Sequence, residues 1–191
     1  MARTPSAMVA LGTLAPAFTL PDTVSGKQLS LVEIKGKTAT MIMFICNHCP
    51  FVKHVNAELV KLADDYKNKG IGFVAISSND VINYPDDAPH LMKQVALQLK
   101  YPFPYLYDET QDIAKAYNAA CTPDFFIYDK NLMLVYRGQL DDSRPGNEIP
   151  VTGKDIRHAL DCLINDQPVS EFQRPGIGCN IKWKQNFISS P

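Results

Sequence analysis

Net charge is nearly absent: 19 basic and 20 acidic side chains leave a formal −1 on 191 residues. That balance gives no electrostatic reason to expect nucleic acid or an anionic membrane as a partner. Long hydrophobic runs are missing as well, and no stretch approaches the ~18 apolar residues of a membrane span. The segment 7–17, with Arg3 before it, faintly resembles a leader. It is short, broken by Gly12, and runs straight into domain-like sequence, so a cytoplasmic protein without a cleaved leader is expected. Internal repeats, low-complexity blocks and linkers are also lacking. The chain therefore reads as one domain over 1–165, with a tail over 166–191 packing on it. Tryptophan occurs once, at Trp183, and cysteine only five times, at 46, 49, 121, 162 and 179. So sparse and odd a set excludes a dense disulfide scaffold. The chain is 46% apolar and 20% charged, which argues against disorder.

What is present is an alternating pattern. Residues 38–45 run apolar for a strand's length, as suits a strand buried on both faces of a sheet. Val52, Val55, Leu59, Leu62, Ala63 and Tyr66 recur at helical spacing, and Lys69-Gly70 supplies a stop. A second strand follows over 71–77. After a loop rich in Asn, Asp and Pro comes a helix with Leu91, Met92, Val95, Ala96 and Leu99 on one side. Residues 101–107 read as a short extended segment and 108–119 as a short helix. Residues 125–128 and 132–136 flank Asp129-Lys130-Asn131 as a hairpin, and 153–163 form a closing helix that places Cys162 on an apolar face as an inert core thiol. Two β-α units feeding an antiparallel hairpin imply an α/β fold, with a mixed central sheet and helices on both faces. The tail after Asp166 shows no period and is expected to wrap the surface.

The chemistry concentrates in Cys46-Asn47-His48-Cys49-Pro50, at the junction of the first buried strand and the first long helix. A helix N-terminus carries roughly +0.5 of a charge and unpaired N–H groups, so it stabilises a thiolate. Cys46 is expected near the N-cap and Cys49 one turn in, close enough to form a disulfide. Cys46 would then be the attacking thiolate and Cys49 the thiol that resolves the mixed disulfide. Pro50 fits the first turn, where its missing N–H costs nothing. His48, if protonated, would further stabilise the Cys46 thiolate. A zinc site is disfavoured because no second Cys-x-x-Cys exists, and no metal or other cofactor is expected. Downstream, Thr122-Pro123 stands directly before an apolar strand. A cis bond there would turn the chain against the dithiol and leave the Thr122 backbone free to pair with a docked substrate strand.

Taken together, these residues resemble the thioredoxin-fold superfamily, in its peroxiredoxin-like and TlpA-like (AhpC/TSA) branch. The resemblance spans roughly 10–165. It rests on Gly12-Thr-Leu-Ala-Pro-Ala-Phe-Thr-Leu-Pro-Asp22, Ser25-Gly-Lys-Gln-Leu-Ser-Leu31, Gly36-Lys37, Cys46-Asn-His-Cys49-Pro, Tyr107-Asp-Glu-Thr110 and Thr122-Pro-Asp-Phe-Phe126. It implies a thioredoxin-like fold with an N-terminal β-hairpin extension, and puts Pro123 in the place of the fold's cis-proline. The departures favour thiol–disulfide exchange. The peroxidase pattern Pro-x-x-x-Thr-x-x-Cys, laid on Cys49, meets Ile42 and Cys46 instead of proline and threonine. Neither Arg137 nor Arg144 matches the peroxidase arginine. Ile45 stands where a thioredoxin has tryptophan. A His48 charge beside the dithiol would raise the potential above thioredoxin's ~−270 mV, towards the ~−180 mV of protein disulfide isomerase.

The expected function is thus a thiol–disulfide oxidoreductase acting on a protein or small-molecule disulfide and served by a thiol electron donor. The catalytic candidates are Cys46, Cys49, His48 and Pro123, and Thr122 is the substrate-binding candidate. Cys121 and Cys179 are candidate auxiliary redox thiols. A thiol peroxidase, passing through a sulfenic acid, is the alternative. A Cu(I) module resembling Sco-type proteins is a lesser one, requiring His90 or His158 to reach the pair. Asp141-Asp-Ser-Arg-Pro-Gly146 reads as a solvated turn, and Phe51 as a packing residue at the helix start.

Overall fold

The computed structural model describes residues 3–185. A short strand β1 (Arg3–Pro5) precedes the hairpin β2 (Thr19–Pro21) and β3 (Gln28–Ser30), which leads into the one-turn helix α1 (Leu31–Ile34). Two β-α units follow: β4 (Ala39–Phe44) with α2 (Pro50–Tyr66), then β5 (Ile71–Ser77) with α3 (Pro89–Leu99). The second half holds β6 (Tyr105–Tyr107), α4 (Asp112–Ala116), β7 (Cys121–Thr122), β8 (Asp124–Asp129), β9 (Leu134–Gly138), α5 (Lys154–Ile164) and β10 (Ile177–Asn180). The expected α/β thioredoxin-like architecture is what forms, including the N-terminal hairpin.

The central sheet has the order β6-β5-β4-β8-β9. Strands β4, β5 and β6 run parallel, while β8 and β9 pair antiparallel on the other side of β4. Every residue of β4 is buried, and the period of two sends alternate side chains to opposite faces. Met41 and Met43 face a core shared with Leu59, Leu62, Met92, Ile156 and Leu160, from α2, α3 and α5. Ile42 and Phe44 face a second core with Leu31, Ala114, Tyr117 and Phe126, closed by α1 and α4. Burial of each such side chain contributes roughly 1.5–3 kcal/mol, which explains why this unbroken apolar run is central rather than at an edge.

Four expectations need correction. The helix expected over 108–119 is confined to Asp112–Ala116, because Gln111 sits in the left-handed region (φ 66°) and buried Asp108 accepts the Ala114 N–H at 2.9 Å. The second hairpin strand starts at Leu134 rather than Leu132. Asp129 Oδ1 accepts the N–H groups of Asn131 and Met133, both at 2.8 Å, and Leu132 takes a positive φ of 62° in the turn. Cys162 is only half-buried: the inward stripe of α5 is Ile156, Ala159 and Leu160, and the Cys162 sulfur lies 3.8 Å from His158 Nε2. The turn at 141–146 is not simply solvated. Asp141 is buried and accepts the N–H groups of Thr152 and Gly153, each at 2.7 Å, which anchors the entry to α5.

The described part of the tail is not an irregular wrap either. β10 lies between β1 and β7 in a separate three-stranded antiparallel sheet. Among the described residues no helix is long and apolar enough to cross a membrane.

Candidate active site

The first β-α junction sets the dithiol. β4 ends at Phe44, α2 begins at Pro50, and the five residues between them form a loop. Cys49 is the N-cap, with extended φ/ψ of −65° and 122°, and its carbonyl accepts the Lys53 N–H at 3.0 Å. Pro50 takes the first helical position, as its fixed φ allows. The helix end therefore faces Cys49 and not Cys46, which corrects the expected placement by three residues. All five cysteines carry free thiols.

The Thr122–Pro123 peptide bond is cis, and it brings Thr122 against both sulfurs. Cys46 Sγ lies 3.4 Å from Thr122 Oγ1, and Cys49, when it carries its proton, donates to the Thr122 carbonyl at 3.1 Å. Both cysteines are nearly sealed, Cys46 being 2% and Cys49 0% exposed. They titrate as a pair, and the pair's charge settles on Cys49. Hydrogen bonding from Cys46 pulls Cys49 down to about 4, against the opposing effect of burial, and a bond with Cys179 adds to the pull. Cys46 is pushed well above an ordinary thiol by the same bond to Cys49, by burial and by the nearby Asp87 carboxylate.

Asp87 is the site residue that the sequence did not disclose. It ends a 3₁₀ turn (Pro85–Asp87) and is fully buried. Its carboxylate accepts the Asn47 N–H at 2.7 Å, the His48 N–H at 3.2 Å and Asn79 Nδ2 at 2.8 Å, and it pairs with His48 Nδ1 at 2.6 Å. The Cys46–His48 loop is thus held out of the helix by a carboxylate some 40 residues away. The signal available was positional: Asn79 and Asp87 follow β5, and the carboxyl ends of adjacent parallel strands converge on one site.

His48 is brought beside Cys46, with Nδ1 4.0 Å from the sulfur, and its ring stacks on Tyr84 at 5.6 Å and 14°. The hydrogen bond to Asp87 raises the imidazole above its ordinary value, and Asp87 is lowered in spite of its burial. His48 therefore faces a carboxylate on one side and Cys46 on the other, so it is not a lone cation beside the dithiol. The ligating atoms of Cys46, His48 and Asp87 lie within 4.8 Å of one another. Within this cluster the short hydrogen bond joins His48 and Asp87 only. Of the histidines considered for a copper site, His158 sits by Cys162 on α5, and His90 is exposed on α3.

The remaining candidates divide. Cys121 is buried, and its thiol donates to the Pro123 carbonyl at 3.5 Å, away from the dithiol. Burial pushes it well above an ordinary thiol. Cys179, in contrast, is carried by β10 to the register position opposite Thr122 and is 1% exposed. The Thr122 backbone is therefore not a free edge but is paired with the chain's own tail. Phe51, Pro123 and Ile177 line a small crevice of about 20 Å³ beside this edge. Arg137 is engaged by Val9 and Gln173, and Arg144 by Asp141, Ser143 and Gln139.

A family model decides what this arrangement belongs to, since the one for redoxins matches residues 10–156. The chain belongs to the redoxin family. Among curated relatives, this redoxin is 25% identical over 162 residues to a chloroplastic peroxiredoxin Q of Gentiana triflora, covering 80% of this chain and 69% of the relative. It is 27% identical over 124 residues to the thiol-disulfide oxidoreductase ResA of Geobacillus kaustophilus, covering 64% and 66%. Among solved structures, an uncharacterized conserved protein from Geobacillus kaustophilus is 61% identical with a TM-score of 0.95, covering 96% of this chain and 97% of that one. A hypothetical protein from Sinorhizobium meliloti is 46% identical with a TM-score of 0.92, covering 95% and 98%. The family places this redoxin among thiol-based redox proteins, typically oxidoreductases.

Directly after the cis-proline, Asp124 is fully buried. Its Oδ2 accepts the Ala120 N–H at 3.0 Å. Burial pushes this carboxyl up to about 6. Because the unfolded value is near 3.9, the native state binds the extra proton between pH ~4 and ~6, and stability falls as pH rises through that window. Asp124→Asn is therefore expected to be roughly 1–3 kcal/mol more stable than the wild type at pH 7.5. Urea unfolding of both proteins at pH 7.5 and pH 4 checks this, the difference closing at the lower pH.

Proposed function

We propose that this redoxin is a cytoplasmic thiol–disulfide oxidoreductase. It would use Cys46 and Cys49 to reduce a protein or small-molecule disulfide and be returned to the dithiol by a thiol electron donor. One observation carries the reading: Thr122, at the cis-proline turn, contacts both sulfurs of a reduced Cys-x-x-Cys. That contact places two thiols, not one, at the point where a disulfide would exchange.

Cys46, in the loop three residues before the helix cap, is the sulfur that attacks. As it does so, it passes its proton across the hydrogen bond to the Cys49 thiolate. One substrate sulfur becomes bonded to Cys46, and the other leaves as a thiolate that takes up the Cys49 proton. Cys49 then attacks Cys46 Sγ, expelling the second substrate sulfur as a thiolate that takes its proton from solvent and leaving the Cys46–Cys49 disulfide. Two electrons have moved to the substrate, and two thiols are its products. His48 is a positioning residue here. Its backbone N–H and ring hold the loop to Asp87.

A second reading, thiol peroxidase, is favoured by the low-titrating Cys49 and by the likeness to peroxiredoxin Q. Against it, the peroxidase threonine position holds Cys46, and both arginines considered for peroxide activation are engaged elsewhere. The test sets two reactions of the fully reduced protein side by side, one with hydrogen peroxide and one with a small disulfide. Exchange is expected to end in a Cys46–Cys49 disulfide, while peroxide reacts no faster than with an ordinary thiolate. A peroxide reaction orders of magnitude faster, passing through a sulfenic acid, would replace the proposal with the peroxidase.

A further inference from the structure

The edge at which a disulfide substrate would meet the dithiol is already occupied by this chain. β10 runs antiparallel to β7 with Cys179 opposite Thr122 and Asn180 opposite Cys121. On its other side β1 pairs with it, Arg3 lying opposite Cys179. The segment is also tied down beyond the strand. The Lys182 N–H donates to Asn79 Oδ1 at 2.8 Å, and the Lys182 carbonyl accepts from Gln111 Nε2 at 2.9 Å and from the Asp80 N–H at 2.8 Å. Asn79 in turn donates to Asp87, so the tail and the dithiol loop share one hydrogen-bonded network.

Two details make this seat specific. Gly178 meets the Thr122 carbonyl so closely that a Cβ there would stand 2.1 Å from the oxygen and 3.1 Å from Pro123 N. Only a residue without a side chain admits the strand at this depth. The next residue, Cys179, is sealed at 1% exposure, and its thiol hydrogen-bonds the Cys49 sulfur. A strand docked on Thr122 and carrying a sulfur to Cys49 is what a bound substrate would supply.

We propose that Cys179 is a third redox cysteine of the cycle, delivered by the tail strand, which takes Cys49 into a Cys49–Cys179 disulfide and releases Cys46. This inference rests on the oxidoreductase reading above. After substrate reduction has formed the Cys46–Cys49 disulfide, Cys179 Sγ attacks Cys49 Sγ. The Cys49–Cys179 bond forms, the Cys46–Cys49 bond breaks, and Cys46 leaves as the thiolate that accepts the Cys179 proton. The step is a disulfide isomerisation with no net electron or proton change. It restores Cys46 as a thiol while the oxidising equivalent is held on the buried tail strand. Burial pushes Cys179 up to about 12, and Cys46 is likewise raised, so the proton passes between two weakly acidic thiols.

The test oxidises the reduced full-length protein with oxidised glutathione, quenches in acid, and maps disulfides in non-reducing chymotryptic digests. Cleavage after aromatic residues puts the dithiol on 45–51, Cys121 on 118–125 and Cys179 on 173–183, separate from Cys162. The wild type is expected to contain the 45–51/173–183 link, and in Cys46→Ser that link becomes the main intramolecular disulfide. Gly178→Ala keeps every thiol but displaces the strand. It is expected to lower the link at least several-fold while Cys46–Cys49 still forms. Absence of the link from both the wild type and Cys46→Ser overturns the proposal, as does its replacement by a link to 118–125 or its persistence at full yield in Gly178→Ala. Turnover of a disulfide substrate, measured in parallel, separates the two readings. A protein that turns over without the link loses only the relay, and one that forms the link but reduces no substrate loses only the oxidoreductase.

Discussion

Cys46→Ser is expected to lose disulfide-reducing turnover by at least about a thousandfold, since removing a covalent nucleophile removes the pathway rather than tuning it. Cys49→Ser should behave differently. Cys46 still attacks, but no second sulfur expels the product, so a one-to-one mixed disulfide with the substrate accumulates and is visible as added mass on peptide 45–51. The asymmetry is the informative part. It assigns attack to the sulfur in the loop and resolution to the one at the helix cap. If Cys49→Ser were the inert variant and Cys46→Ser the trapped one, the roles would be exchanged. The low-titrating helix-cap thiol would then be the nucleophile. Because Cys49 also acts as proton acceptor, Cys49→Ser should form its adduct more slowly than the wild type forms its own. The adduct-forming rate should then rise with pH towards a Cys46 value that burial and Asp87 still hold above an ordinary thiol, though without the Cys49 contribution.

Asp87→Ala is the substitution expected to do most damage to the fold near the site. It removes the acceptor of two backbone N–H groups, the Asn79 amide and the His48 ring, all in one buried place. Leaving such donors unpaired costs roughly 3–5 kcal/mol, large against a typical domain stability of about 5–15 kcal/mol. Asp87→Asn is gentler and separates charge from structure, because an amide oxygen still accepts some of these bonds. In it, the His48 titration followed by NMR should move down, since the hydrogen bond that raises it loses its charge. The sign with pH follows from both partners. Asp87 is lowered on folding, so its contribution is present above pH ~4 and is lost as pH falls through its native value. His48 is raised, so its contribution is full below pH ~6.5 and is lost as pH rises through its native value. The stability difference between wild type and Asp87→Asn should therefore be greatest between those limits. A difference independent of pH would show that the pair is not ionised there.

Much of this protein was legible residue by residue. The unbroken apolar run of β4 announced a central strand because six consecutive buried positions leave no solvent face. The α2 stripe announced a helix on that strand, and Thr122-Pro123 before β8 announced the turn that meets the dithiol. Local rules suffice for such features, since period, cap and punctuation act over a few residues. The same rules misplaced the helix end by three residues, because Asp87 holds Asn47 and His48 in a loop from outside the segment. They also left Cys179 in a tail without pattern. A four-residue strand with one glycine-sized contact carries no periodic signature, and its pairing partners lie near the N-terminal end of the chain and at the cis-proline.

The sequence by itself therefore determined the family of folds, the central sheet, and the meeting of a dithiol with a helix N-terminus and a cis-proline turn. Only the tertiary structure decided which sulfur the helix caps, which carboxylate balances His48, and which strand fills the edge beside Thr122. The division is physical: periodic burial is written along the chain, whereas proton sharing, ion pairing and edge occupancy depend on groups tens of residues apart and on distances of a few ångströms.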